Sequence, residues 1–171
     1  MDDQTNAQTS VKHGIVESLD REFARLHFRS CAIIENTPVA ILYGGGQTGS
    51  GDLTRSVGES VLRCAATIEQ TFGGITSRLW DDPFEWTLPE YLSTPAKVLA
   101  HLQEVEATRQ RAFSSFTDDS CLLKHVATPA REAQPLFELL VETLVRAVYY
   151  QSEAAVALKT LSGNGAPGFI I

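Results

Sequence analysis

At 171 residues and 18.7 kDa, the chain suits one domain, or one domain with tails, and is cramped for two. Apolar residues at 43% and charged residues at 20% are ordinary globular usage, which sets aside disorder as the main state. A net charge of -7 argues against a protein built to grip nucleic acid, whose phosphates call for clustered Lys and Arg, and against binding to anionic membranes.

The three cysteines, Cys31, Cys64 and Cys121, form no paired spacing, so a disulfide framework is not expected; each reads as a small buried apolar residue. The N-terminus, Met1-Asp2-Asp3-Gln4-Thr5, lacks the basic-then-apolar pattern of a signal peptide. No stretch reaches about 18 consecutive apolar residues, so no spanning helix is expected. The expectation is a soluble cytoplasmic protein.

Residues 1–13 are polar and predict a loosely docked arm. Four apolar-periodic segments follow, with little strand signal. In the first, Ile15 to Glu35, the positions Ile15, Leu19, Phe23, Leu26, Ser30 and Ile33 make one helical stripe. Arg21, Arg25 and Arg29 form a ridge on another face. Asn36-Thr37-Pro38 closes this helix, because the residue before proline avoids the α region. Val39 to Gly51 reads as a long connection, Gly-rich at Gly44-Gly45-Gly46. It lacks the Gly-Lys-Ser/Thr of a phosphate loop.

The second segment runs from Ser56 to Trp80. Ser56-Val57-Gly58-Glu59 has the form of a capping box, and Val57, Val61, Cys64, Ile68, Phe72, Ile75 and Leu79 make the stripe. Gly73 and Gly74 inside it predict close packing or a bend. The run Trp80-Asp81-Asp82-Pro83-Phe84-Glu85-Trp86 reads either as a connection pinned by its aromatics or as a partner surface. Thr94-Pro95 predicts the start of a third helix, to about Phe116, with Val98, Leu102, Val105, Ala112 and Phe116 inward. Arg109 stands in that stripe where an apolar residue is expected. Asp118-Asp119-Ser120 breaks the helix, and Cys121 to Arg131 reads as irregular. The fourth helix begins near Gln134-Pro135 and runs to Leu161, with Gly163 as cap and Leu136, Leu140, Leu144, Ala147, Ala154, Leu158 and Leu161 on one side. The chain ends in the apolar Gly168-Phe169-Ile170-Ile171, which predicts docking on the body or on a second subunit.

Four helices of roughly 20 to 28 residues, about 30 to 40 Å long, bury their stripes most economically against one another. The expected fold class is all-α, a four-helix bundle over residues 14–163 with a long connection between helices one and two and an apolar tail over 164–171.

Two segments then resemble the DinB/YfiT-like four-helix family, a fold associated with metalloenzymes. Ser56-Val57-Gly58-Glu59-Ser60-Val61-Leu62-Arg63 resembles the family's Ser-Ile-Gly-Glu opening of helix two. Arg146-Ala147-Val148-Tyr149-Tyr150-Gln151-Ser152-Glu153 resembles its fourth helix. The resemblance implies three metal-binding histidines, one from helix two and two from helix four. The matching positions here hold Arg63, Arg146 and Tyr150. Arginine offers no lone pair and repels a cation, so the family's metal chemistry does not carry over, and no metal or cofactor is expected.

Elsewhere, His27 and Cys31 stand at i and i+4 on helix one, and His101 lies beside the stripe of helix three. Each reads as a structural histidine or as part of a ligand pair. His13 and His125 fall in irregular segments. Glu59 precedes Arg63 by four residues and Glu142 precedes Arg146 by four, the favourable order for a helical ion pair. Two readings follow. Each arginine is neutralised locally, or Arg63, Arg146 and Tyr150, with Glu59 and Glu142, line a cleft for a small anion or carboxylate. The function expected is that of a non-metal ligand-binding or interaction protein, a homodimer binding neither nucleic acid nor membrane. The alternative is a divergent enzyme of the thiol-dependent transferase or metal-dependent hydrolase type that the family implies.

Overall fold

A computed structural model of the chain describes residues 14–44, 55–86 and 90–162. The polar arm, most of the Gly-rich connection, Gly163 and the apolar tail lie outside the described residues. Helix α1 spans Gly14–Glu35, a short α2 spans Val39–Leu42, α3 spans Val57–Ser77, α4 spans Pro95–Ser114 and α5 spans Leu136–Ser162. One 3-10 turn, Pro83–Trp86, links α3 to α4. A second, Asp119–Leu123, leads into strands β1 (His125–Thr128) and β2 (Arg131–Pro135), an antiparallel hairpin. The fold is therefore mainly helical, with one small two-stranded sheet among the described residues.

Three of the four long helices start where their caps require. Ser56 Oγ accepts from the Glu59 amide at 3.1 Å, and Thr94 Oγ1 accepts from Lys97 at 3.3 Å with Pro95 in the first turn. The first turn of α1 is capped from far away. Asp119 Oδ1 accepts from the Val16 amide at 2.9 Å and Oδ2 from Ile15 at 3.2 Å. This carboxylate also suits the positive end of the helix dipole. At its other end α3 stops at Arg78, in the left-handed conformation at φ 57°, with its amide donating to Gly74 O at 3.0 Å.

Four expectations are corrected. The region after Pro38 holds a helical turn rather than only loop. Helix α3 ends three residues early, which leaves Leu79 62% exposed instead of inward. The stretch from Cys121 to Arg131 is not irregular: Val126 pairs with Gln134 and Thr128 with Arg131 across a Pro129-Ala130 turn. Ile15, at the head of the α1 stripe, is also half exposed.

The stripes otherwise meet as expected. Leu19, Phe23, Leu26 and Ile33 of α1 join Val57, Val61, Cys64, Ile68 and Phe72 of α3, with Val98, Leu102, Val105 and Ala112 of α4 and Leu136, Leu140, Ala147, Ala154 and Leu158 of α5. The most extensive helix pair is α3 with α5. At the centre the Phe23 and Phe72 rings meet edge to face at 5.1 Å, and Phe113 lies 5.9 and 5.5 Å from them. Polar ties cross this core. Gln151 of α5 donates to Leu26 O at 2.7 Å and Ser30 Oγ at 2.8 Å on α1, and the Thr71 and Thr143 hydroxyls bond at 2.8 Å between α3 and α5. Arg109 is buried too. Its fork grips both oxygens of Glu106, at 2.6 and 2.8 Å, and reaches Asp20 on α1.

Two of the three glycines in α3, Gly58 and Gly74, permit close approach. A Cβ on Gly74 would fall 2.3 Å from the Trp80 ring, which folds back over the helix end while its carbonyl accepts from Gln70 at 2.9 Å. A Cβ on Gly58 would stand 2.6 Å from the Tyr43 ring and 2.9 Å from the carbonyl of Leu42. In an isolated helix, Gly58→Ala stabilises by about 1 kcal/mol. Here the backbone of α2 cannot yield cheaply, so overpacking is expected to win, for a net loss of roughly 1–2 kcal/mol. Urea denaturation checks this, and a stabilised variant would mean that α2 does not seat on α3.

Candidate functional site

The start of α3 and the middle of α5 share an edge of the molecule. There Arg55, immediately before α3, donates to Glu153 Oε2 at 2.7 Å, and its Nε lies 3.8 Å from Glu59 Oε1. Its guanidinium sits 5.7 Å from the centre of the Tyr150 ring, and Tyr149 donates its hydroxyl proton to Glu153 at 2.7 Å. The hydrogen bond to Glu153 raises the pKa of both Arg55 and the Tyr149 phenol. Arg63 lies one turn further along α3. Its Nε is 3.4 Å from Glu59 Oε1, and its guanidinium lies over the Phe84 ring at 3.9 Å. Arg63 and Tyr150 are thus ends of one chain of groups, Arg63–Glu59–Arg55–Tyr150, joining two helices.

Among the described residues, no hydrogen bond, ion pair or ring contact joins Arg63, Arg146 and Tyr150 directly to one another. Arg146 is exposed on α5 one turn before Tyr150, and Glu142 is exposed one turn before that. Sequence reasoning missed Arg55 and Glu153 as the pair that closes this edge. The available signal was that both flank the two segments singled out, Arg55 directly before Ser56 and Glu153 at the end of the second.

These residues do not fit a metal. Two of the three positions carry guanidiniums, and Arg63 is engaged by a carboxylate and an aromatic face. Among the described residues, no group of three or more His, Cys, Asp or Glu is gathered as a metal ion requires.

The remaining polar residues sort themselves by burial. His27 Nε2 is 3.6 Å from Cys31 Sγ, and burial, then the negative Glu35 and Glu106, push the Cys31 thiol up. Cys64 is fully buried 4.0 Å from Ser30, and its pKa is pushed up to about 12 by that burial. Both thiols therefore stay protonated at neutral pH and are poor nucleophiles. Cys121 is buried beside Leu122, with its pKa lowered by the Thr117 hydroxyl 3.4 Å away. His125 is exposed on β1, and His13 lies outside the described residues.

Between α3 and α4 runs an open groove of about 710 Å³, continued by one of about 430 Å³; Glu69, Thr108 and Arg111 line both. Oε2 of this Glu69 lies 3.8 Å from His101 Nε2; both atoms are buried, and among the described residues neither has a hydrogen-bond partner. Burial, aided by Glu104 and opposed by His101, holds the Glu69 carboxyl above its usual range. Its ionised form thus costs stability at neutral pH, and the cost is relieved as pH falls.

Comparison with family models, with curated proteins and with solved structures gives no match for this chain.

Proposed function

We propose that the chain is a DinB-like four-helix bundle protein that binds a small anion or carboxylate, without metal, at the α3–α5 edge through Arg63, with Arg146 and Tyr150 flanking. The observation that carries this reading is the state of Arg63. Its guanidinium lies over the Phe84 ring at 3.9 Å, and among the described residues its only ion-pair partner is Glu59 at 3.4 Å. That is long for a charge-assisted hydrogen bond, which prefers about 2.7–2.9 Å. The Nη edge of a held, planar fork is thus left to a bidentate carboxylate, and stacking on the ring lowers the ordering cost of binding. The local neutralisation by Glu59 weakens anion affinity without removing it, so millimolar binding is expected. Arg146 adds positive charge on the α5 side of the edge, and Tyr150 a hydroxyl donor. The divergent-enzyme alternative gains nothing from the site. The Cys31 and Cys64 thiols are held protonated, Cys121, whose pKa is lowered, belongs to the 3-10 turn before β1 rather than to this edge, and arginines offer no ligand to a hydrolytic metal.

Thermal unfolding of the full chain with acetate, succinate or inorganic phosphate, against chloride at matched ionic strength, tests the reading. A ligand at 100 times its Kd stabilises by about 2.7 kcal/mol, and Arg63→Ala is expected to weaken that ligand at least tenfold. A panel with no shift beyond chloride, or a shift that Arg63→Ala leaves unchanged, overturns it.

A further inference from the structure

Helix α5 is apolar on two opposite sides. Leu136, Leu139, Leu140, Ala147, Ala154 and Leu158 enter the core. On the other side Phe137, Val145, Val148, Tyr149 and Val156 are 43–65% exposed, and the half-buried Val141 lies in line with them. At 100° per residue these six side chains, with Ser152, fall within about 120° of arc and run for roughly 30 Å along the helix. A solvated helix face normally carries polar groups there. Large exposed apolar stripes of this kind mark an interaction surface.

The charges around the stripe select the occupant. Glu138 stands at its N-terminal end and Lys159 at its C-terminal end. We propose that the stripe is the interface of a homodimer, in which α5 packs antiparallel on the partner's α5 about a two-fold axis passing between Val148 and Tyr149. That axis sets Val141 against the partner's Val156, Val145 against the partner's Ser152 and Val148 against the partner's Tyr149. The same register brings Glu138 to the partner's Lys159, twice by symmetry. A parallel pairing would instead oppose Glu138 to itself and Lys159 to itself, which is repulsive. A closed two-fold needs one self-complementary patch, and this stripe is one. A stripe about 30 Å long and about 10 Å wide covers roughly 300 Å² of each partner, well below the about 800 Å² that a standard specific interface takes from each. Micromolar association is therefore expected. The inference does not rest on the carboxylate reading: Tyr149 of the stripe bonds Glu153 of the α3–α5 edge, but Arg63 itself pairs with Glu59 and Phe84 and with no residue of the stripe.

Sedimentation of the full chain across micromolar concentrations tests it. The expected limiting mass is twice 18.7 kDa. Val148→Glu, at an exposed position, is expected to give a monomer with unchanged helical circular dichroism. Lys159→Glu is expected to weaken the dimer, and adding Glu138→Lys to restore it, because the exchanged charges pair again only in this register. A monomer at all concentrations overturns the proposal. So does a dimer indifferent to Val148→Glu, or one lost on removing residues 163–171 while Val148→Glu leaves it intact. A monomer that dimerises only after that removal would show that the chain's own end covers the stripe, and overturns it likewise.

Discussion

Replacing Arg109 with methionine is expected to cost about 3–5 kcal/mol, measured by guanidinium denaturation at pH 7. The loss is not that of a surface ion pair. The Arg109 side chain is 4% exposed and that of Glu106 11%, so removing the guanidinium strands a desolvated carboxylate beside the core. Burial by itself disfavours both charges. The hydrogen bonds and attraction between Arg109 and Glu106, with Asp20 contributing, overcome it, so the Glu106 carboxyl is held below its usual range and Arg109 above. The sign of the pH dependence follows. In the natural chain Glu106 contributes stability that is present above its unfolded-state pKa and lost as pH falls through its depressed folded-state value. With Arg109 gone, burial raises the same carboxyl, and the variant is expected to recover part of its deficit as pH falls. Adding Glu106→Leu is expected to recover part of it at neutral pH as well, since an apolar pair of similar volume replaces a buried ion pair at little net cost. A single-variant loss under 1 kcal/mol would mean that this triad is solvated.

Phe72→Ala is expected to cost about 3–5 kcal/mol by the same measurement, against less than 0.5 kcal/mol for Phe28→Ala. Both replace a helical phenylalanine, so propensity cancels from the comparison. Phe72 is fully buried and meets two other phenylalanine rings, whereas Phe28 is 73% exposed on the outer face of α1. The surrounding helices are joined by the Thr71–Thr143 and Gln151–Ser30 bonds, which resist collapse into the space that the ring leaves. Comparable losses for the two variants would place the aromatic centre elsewhere.

The candidate site was legible only in outline. That Glu59 would serve Arg63 followed from their spacing, because residues four apart on a helix are neighbours whatever the fold. The same rule says nothing about Arg55 and Glu153, 98 residues apart, whose pairing needs α3 and α5 side by side. Nor could it say that Phe84 would lie under Arg63, because Phe84 belongs to the turn that leads away from α3. Arg109 shows the limit from the other side. Its position in an apolar stripe marked it as anomalous, while its reason, Asp20 on α1 and Glu106 one turn back, divides between distant and local sequence.

Period, caps and breakers placed the long helices and several of their ends: a 3.6-residue apolar rhythm, Ser56 and Thr94-Pro95 as starts, and Pro38 as a stop act within a few residues. Tertiary structure decided what local rules leave open. The β hairpin turns on Pro129-Ala130, which carries none of the Asn-Gly or Asp-Gly signal of a tight hairpin, and it is held instead by pairing at its ends and by the buried Gln134. Helix α1 starts where Asp119, more than 100 residues later, supplies its cap. Of the two apolar sides of α5, the periodicity marked the one through Leu136, Leu140, Ala147, Ala154 and Leu158 and left the one through Val145, Val148 and Val156 unremarked. Only the placement of α1 and α3 against one of them leaves the other outward, because a helix has room for neighbours on every face and its own residues do not say which face they will meet.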